Sequence, residues 1–176
     1  MEHARRFVAW LEKLDRAANA ELRRSLAFEP GAYPRVYPYV EPFIRKGGRR
    51  ALYLVAGLHA LYRQAGGCAS GSGGGNREVG LGTAAAELYA RRQRSPSIEA
   101  RFVALLDADS EQLPHRLRHM VTLLRSEQIS LDWPRLLKDL LGWEDETRQV
   151  QQWWARDFYR ATAPDETEID EEEAGQ

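Results

Sequence analysis

Leu113 to Trp143 reads LPHRLRHMVTLLRSEQISLDWPRLLKDLLGW, and its periodicity decides the fold class. Leu113, Leu117, Met120, Val121 and Leu124 stand at offsets of 4, 7, 8 and 11, one apolar stripe along an α-helix. At about 100° per residue, Arg118, Thr122 and Arg125 fall together beside that stripe, so two guanidiniums project from one flank. The pattern breaks at Ser126 to Ser130 and restarts at Asp132-Trp133-Pro134. Asp132 is suited to accept backbone N–H groups as an N-cap, and proline fits an early helical position. A second helix is predicted from there.

The same reading extends to both sides. Phe7, Val8, Trp10, Leu11 and Leu14 mark an amphipathic first helix. Ala20 to Ala27 reads as a second, with Leu22 and Leu26 inward and Arg23 and Arg24 outward. Pro30, Pro34, Pro38 and Pro42 exclude a long helix between them, leaving a short helix or turn packed by Tyr37 and Tyr39. Lys46-Gly47-Gly48-Arg49-Arg50 forms a basic turn into Ala51 to Gln64, a helix apolar nearly all round and so central. His59 within it reads as a hydrogen-bonded core histidine, since no second ligand stands nearby at metal spacing.

Gly66 to Gly82 is rich in Gly and Ser and reads as a flexible loop; it lacks the G-x-x-x-x-G-K-[ST] phosphate signature. Thr83 to Arg92 is a short helix ending in a basic cluster. Ser97 is placed to cap Ile98 to Leu106, with Phe102, Leu105 and Leu106 inward and Arg101 outside. The last helix is predicted over Glu144 to Arg160, with Val150, Trp154 and Phe158 as a core stripe and Trp153 beside it. No stretch alternates with a period of two. The fold class is therefore all-α, a compact bundle of about seven to nine helices, as one domain over residues 1–162 or as two small lobes sharing a core.

Charge divides the chain. Seven of its 26 acidic residues lie in the last twelve positions, which leaves 19 acids against 25 basic residues, +6, for the body before them. The acidic tail, residues 163–176, is expected to be disordered. All the basic side chains except Lys13, Lys46 and Lys138 are arginines, whose planar fork suits bidentate contact with phosphate. A GC-rich or thermophilic genome, with solvated ion pairs on helix surfaces, accounts for that composition equally well. The single cysteine, Cys68, allows no intrachain disulfide. With no signal-peptide pattern and no apolar run near the ~20 residues of a membrane span, the expectation is a soluble cytoplasmic protein.

Catalytic patterns are weak. His115 and His119 share a helix face at i,i+4, but HRLRH lacks the glutamate of zinc hydrolases and no third ligand is evident. Asp107 and Asp109 could hold a cation, although Asp109 is better placed to cap the next turn with Gln112. What remains is a set of arginines on helix ends and polar flanks: Arg23, Arg24, Arg49, Arg50, Arg91, Arg92, Arg101, Arg118 and Arg125. Spread over several elements, they could line a track for a phosphate backbone.

The ordered words AELRRSL at 20–26, YPYVEPF at 37–43, LYLVAGLHALY at 52–62, VGLGTAAAEL at 79–88, SIEARFVALLDAD at 97–109, LPHRLRHMVTLL at 113–124, LDWPRLLKDLLGW at 131–143 and VQQWWARDFY at 150–159 complete the reading. Together they resemble the CasB-type small subunit of Cascade, the type I-E CRISPR surveillance complex. That resemblance implies an all-helical, non-catalytic protein without cofactor or metal. It implies two copies bridging the end subunits of a crRNA-containing particle, with a basic face on the target and displaced non-target DNA strands and no membrane partner. Arg24, Arg49, Arg101 and Arg118 match basic positions of the family pattern; Arg23, Arg50 and Arg125 follow from the residue pattern alone. After Trp143 the chain reads EDET where some relatives are basic. A helical scaffold whose arginines contact only protein is the competing reading.

Overall fold

The computed structural model describes residues 1–45, 47–63 and 79–163. Most of the expected Gly/Ser loop, Cys68, Lys46 and the acidic residues after Ala163 lie outside them. Nine α-helices stand among the described residues: α1 (Glu2–Glu12), α2 (Arg16–Ser25), α3 (Tyr37–Val40), α4 (Arg49–Arg63), α5 (Leu81–Arg91), α6 (Pro96–Leu106), α7 (Leu113–Ser126), α8 (Trp133–Leu141) and α9 (Gln149–Thr162). The all-α expectation holds. The one extended pairing among these residues is a bridge between Val79 and Leu131, where the Asp132 N–H donates to the Val79 carbonyl at 3.0 Å.

α4 is the hub. Every residue from Ala51 to Tyr62 is buried except half-buried Leu61, and α1, α2, α7 and α8 pack round it. α5 pairs with α9, and α6 and α7 flank that pair. One continuous apolar cluster runs from Phe7 on α1 through Leu58 and Leu117 to Phe158 on α9. The stripe on α7 is buried at all five positions read from its spacing. Trp154 is buried and Trp153 exposed, as the α9 periodicity requires. Buried indoles need partners for their N–H groups. Trp154 donates to Asp139 Oδ2 at 2.8 Å, and Trp143 to the Ala108 carbonyl at 3.2 Å.

Helix starts follow capping chemistry, and here several expectations are corrected. Asp132 caps α8 as read, accepting from the Arg135 N–H at 2.8 Å. Asp109 accepts from Glu111 and Gln112 at 3.0 and 2.7 Å. α2 begins four residues before the expected Ala20, because Asp15 accepts from the Ala18 N–H at 2.8 Å. α6 begins at Pro96 with Ser95 before it, so Ser97 lies inside the first turn; proline's fixed φ sets the start. α9 begins at Gln149, not Glu144, because Asp145 takes the Thr147 N–H at 2.8 Å and Arg148 is left-handed at φ 51°. Between α2 and α4, Val36 and Val40 are the buried residues, while Tyr37 and Tyr39 are only half-buried.

Two glycines mark close helix contacts. A Cβ on Gly57 would press on the Leu26 side chain and stand 3.1 Å from the Leu22 carbonyl, so α2 and α4 meet there. Gly82, expected in the flexible loop, is instead helical, in the first turn of α5, and a Cβ there would collide with the Trp154 carbonyl. Gly82→Ala should therefore lower the urea-unfolding free energy by about 1–3 kcal/mol, since the obstructing atom is backbone and cannot rotate away.

His59 is a core residue, 3% exposed, edge-on to Trp133 at 5.2 Å. The hydrogen-bonded histidine expected here is corrected in one respect: Nδ1 has no hydrogen-bond partner. Burial, and then the Arg63 charge, lowers its pKa from 6.5 to about 4. The unfolded chain therefore binds this proton more readily than the folded one. The neutral ring's contribution is complete above about pH 6.5 and is lost as pH falls towards 4. That loss amounts to about 3 kcal/mol. Urea titrations should show stability falling across this window, and His59→Leu should flatten that part of the profile.

Candidate nucleic-acid interface

The arginines singled out in the sequence divide into those that brace the fold and those that stay open. Arg125 is half-buried and donates to the Leu61 carbonyl at 3.1 Å, near the C-terminal end of α4. Arg118, two turns earlier on α7, reaches the Leu26 carbonyl at the end of α2 at 3.3 Å but remains exposed. Arg91 donates to the Glu127 carbonyl at the end of α7 at 2.6 Å, and Arg92 pairs with the Glu127 carboxylate at 2.6 Å. Arg50 pairs with Glu29 at 3.1 Å, and Arg23 is half-buried on α2.

Arg24, Arg49 and Arg101 are exposed and oriented by polar neighbours. Arg24 sits 2.9 Å from Glu21, whose other oxygen accepts from the Tyr33 hydroxyl at 2.6 Å. The Glu21 carboxyl is held below its ordinary range, first by the Tyr33 hydrogen bond and then by the Arg24 and Arg35 charges. Arg49 pairs with Glu41 at 2.6 Å and lies over the rings of Tyr37 and Tyr53 at 5.5 and 5.3 Å. Tyr53 donates to the same Glu41 oxygen, and its pKa is raised by burial before any effect of that carboxylate. Arg101 on α6 lies 2.9 Å from Nε2 of His119 on α7. Partial burial, then Arg101 and His115, lowers the His119 pKa. Of the i,i+4 histidine pair, His119 thus orients an arginine.

Arg118 lines a cleft of about 370 Å³, and Arg49 lies against Gly31 in its wall. Its walls carry Leu26 and Phe28 after α2, Gly31 and Tyr53 beside Arg49, and His115 and Arg118 on α7. Arg101 follows on the far side of His119. The fold thus brings the ends of α2 and α4 and one flank of α7 together, with α6 alongside. Sequence reasoning missed His119 as the partner of Arg101, Arg35 as a second cation on Glu21, and the bracing roles of Arg63 and Arg148. An exposed histidine facing an arginine on a neighbouring helix leaves no mark in the sequence.

The family model for CRISPR-associated protein Cse2 matches residues 18–159, from α2 through α9. This chain belongs to the Cse2 family. A Cse2 protein of Thermus thermophilus is 45% identical over 184 residues, covering 99% of this chain and 100% of that one. The crystal structure of CasB from M. ruber superposes with a TM-score of 0.72 at 38% identity, covering 99% of this chain and 98% of that one. A chain of a CRISPR RNA-guided surveillance complex in a pre-nicking state gives a TM-score of 0.77 at 27% identity, covering 98% of each. The family resemblance carried by the eight sequence words is thereby confirmed.

Bracing and open arginines of this Cse2 chain should separate in unfolding experiments. Arg125→Met should cost about 1–2 kcal/mol in urea, because it leaves a half-buried carbonyl unpaired at a helix end. Arg24→Met should leave the midpoint where it is.

Proposed function

We propose that this protein is the non-catalytic small subunit of a crRNA-guided Cascade complex, and that its arginine face binds the target and displaced DNA strands and stabilises the R-loop. The observation that carries this reading is the set of exposed guanidiniums of Arg24, Arg49, Arg101 and Arg118, each oriented by a polar partner, with Arg118 in the wall of the cleft. Arg23, Arg50 and Arg125, each half-buried, are secondary contributors in this reading. Family membership and the likeness to a surveillance-complex chain support the assembly. Other Cascade subunits, the crRNA-containing particle and a second copy of this chain are its partners in this reading.

The existing ion pairs do not oppose it. An exposed arginine–carboxylate pair is worth about 0–1 kcal/mol, and a guanidinium on one carboxylate oxygen retains N–H groups for a phosphate. A phosphate contact also releases condensed counterions, which the internal pair does not. Contacts of this kind position a strand without reading bases, so sequence choice falls to guide pairing. Among the described residues no helix is long and apolar enough to cross a membrane.

Protein scaffolding is favoured by a separate observation. A groove of about 870 Å³ between α6 and α9 is lined largely by apolar atoms of Ala100, Val103, Ala104 and Ala155. It lies on a different side of α6 from Arg101, and a partner subunit seated there would leave the arginine face open.

Charge reversal at Arg24, Arg49, Arg101 and Arg118 together should shorten R-loop lifetime in the assembled complex while the fold remains intact. With glutamine at the same four positions, the slope of log affinity for DNA against log salt should become shallower by up to about 3–4. An unchanged R-loop lifetime in the charge-reversed complex would remove the assignment of this face.

A further inference from the structure

Phe28 follows the end of α2 and is 49% exposed. A single exposed phenylalanine needs no explanation of its own. Its surroundings give it one. One ring face is stacked on Tyr33, with centroids 4.9 Å apart and planes 11° from parallel. The Tyr33 hydroxyl is fixed on Glu21 at 2.6 Å, and the other oxygen of that carboxylate faces Arg24 at 2.9 Å and Arg35 at 3.8 Å. Those two side chains are 59% and 71% exposed. Phe28 also lines the 370 Å³ cleft whose opposite wall carries His115 and Arg118.

An aromatic ring supported behind and open in front thus stands between two exposed cations and a cleft of nucleotide size. Unpaired bases stack on such rings while their phosphates run along neighbouring arginines. Bases inside a duplex have both faces covered by their neighbours and cannot use the ring. The cleft lining carries Glu29, paired with Arg50 at 3.1 Å, Glu111 and one arginine, Arg118, so the positive charge at this corner comes from the exposed Arg24 and Arg35.

We infer that Phe28, backed by Tyr33, is a stacking platform for an unpaired base, with the flanking phosphates on Arg24 and Arg35. This corner therefore binds single-stranded DNA in preference to duplex. The inference rests on the reading that the arginine face binds nucleic acid, and it adds a site specific to the unpaired strand.

The test uses the full chain at low salt with two probes, a short oligothymidylate and a duplex of equal length. Phe28→Leu keeps apolar bulk but removes the π-face, and Phe28→Trp keeps a π-face. The expected result is about tenfold weaker single-strand binding for Phe28→Leu. Duplex binding should be unchanged, and Phe28→Trp should restore the single-strand affinity. Equal losses on both probes, or no loss on either while Arg24→Glu and Arg118→Glu still weaken both, would overturn the platform and leave the arginine face standing. Wild-type binding of both probes by those two arginine variants would overturn the underlying reading and this inference with it.

Discussion

Every α-helix ends with carbonyls that have no partner within the helix, and a bundle that packs its helix ends inward must satisfy them from elsewhere. Here guanidiniums do so. Arg63 reaches the Glu12 carbonyl at the end of α1, Arg118 the end of α2, Arg125 the end of α4, Arg148 the end of α6 and Arg91 the end of α7. A positive charge at a helix C-terminus is favourable for the dipole as well as for the hydrogen bond. Arginine suits the task better than lysine because its fork holds one carbonyl and still offers further donors. The scarcity of lysine therefore has a structural cause in this molecule, alongside whatever the genome contributes.

That division sharpens what the arginine-rich composition means. Arg125 and Arg63 are turned into the fold, and much of what they do is hold helices in place. Arg118 does both, reaching a carbonyl with one nitrogen while its side chain stays exposed. Arg24, Arg49 and Arg101 have polar partners but remain at the surface, where such pairs are weak and exchangeable. The proposed polyanion-binding face and the bracing of the bundle thus draw on the same residue type. What separates them is whether the neighbouring group is a half-buried carbonyl or an exposed side chain.

Much of the fold was legible because it is written in local periodicity. The α7 stripe, the Asp132 cap, the all-round burial of α4 and the Trp154 stripe each depend on residues within two or three turns of one another. The errors fell where a side chain or a neighbouring helix competes with periodicity. Asp145 draws backbone away from the start of α9, and the close approach of the Trp154 carbonyl leaves no room for a side chain at Gly82, a helix residue in a stretch whose composition reads as loop. Of the site, the identities of the open arginines were legible as polar flanks, but their partners were not. His119 is 18 residues from Arg101, Arg118 is 92 from Leu26, and Tyr33 is 12 from Glu21. Juxtapositions across such separations are set by tertiary packing alone.

The most direct test of the central claim is site-specific photocrosslinking in the complete complex on target DNA, with a photoreactive phenylalanine analogue at Arg101 or Arg118. The account predicts that both positions form covalent adducts with DNA. Adducts with protein subunits alone at both positions would contradict it and leave a scaffold whose arginines serve only protein contacts.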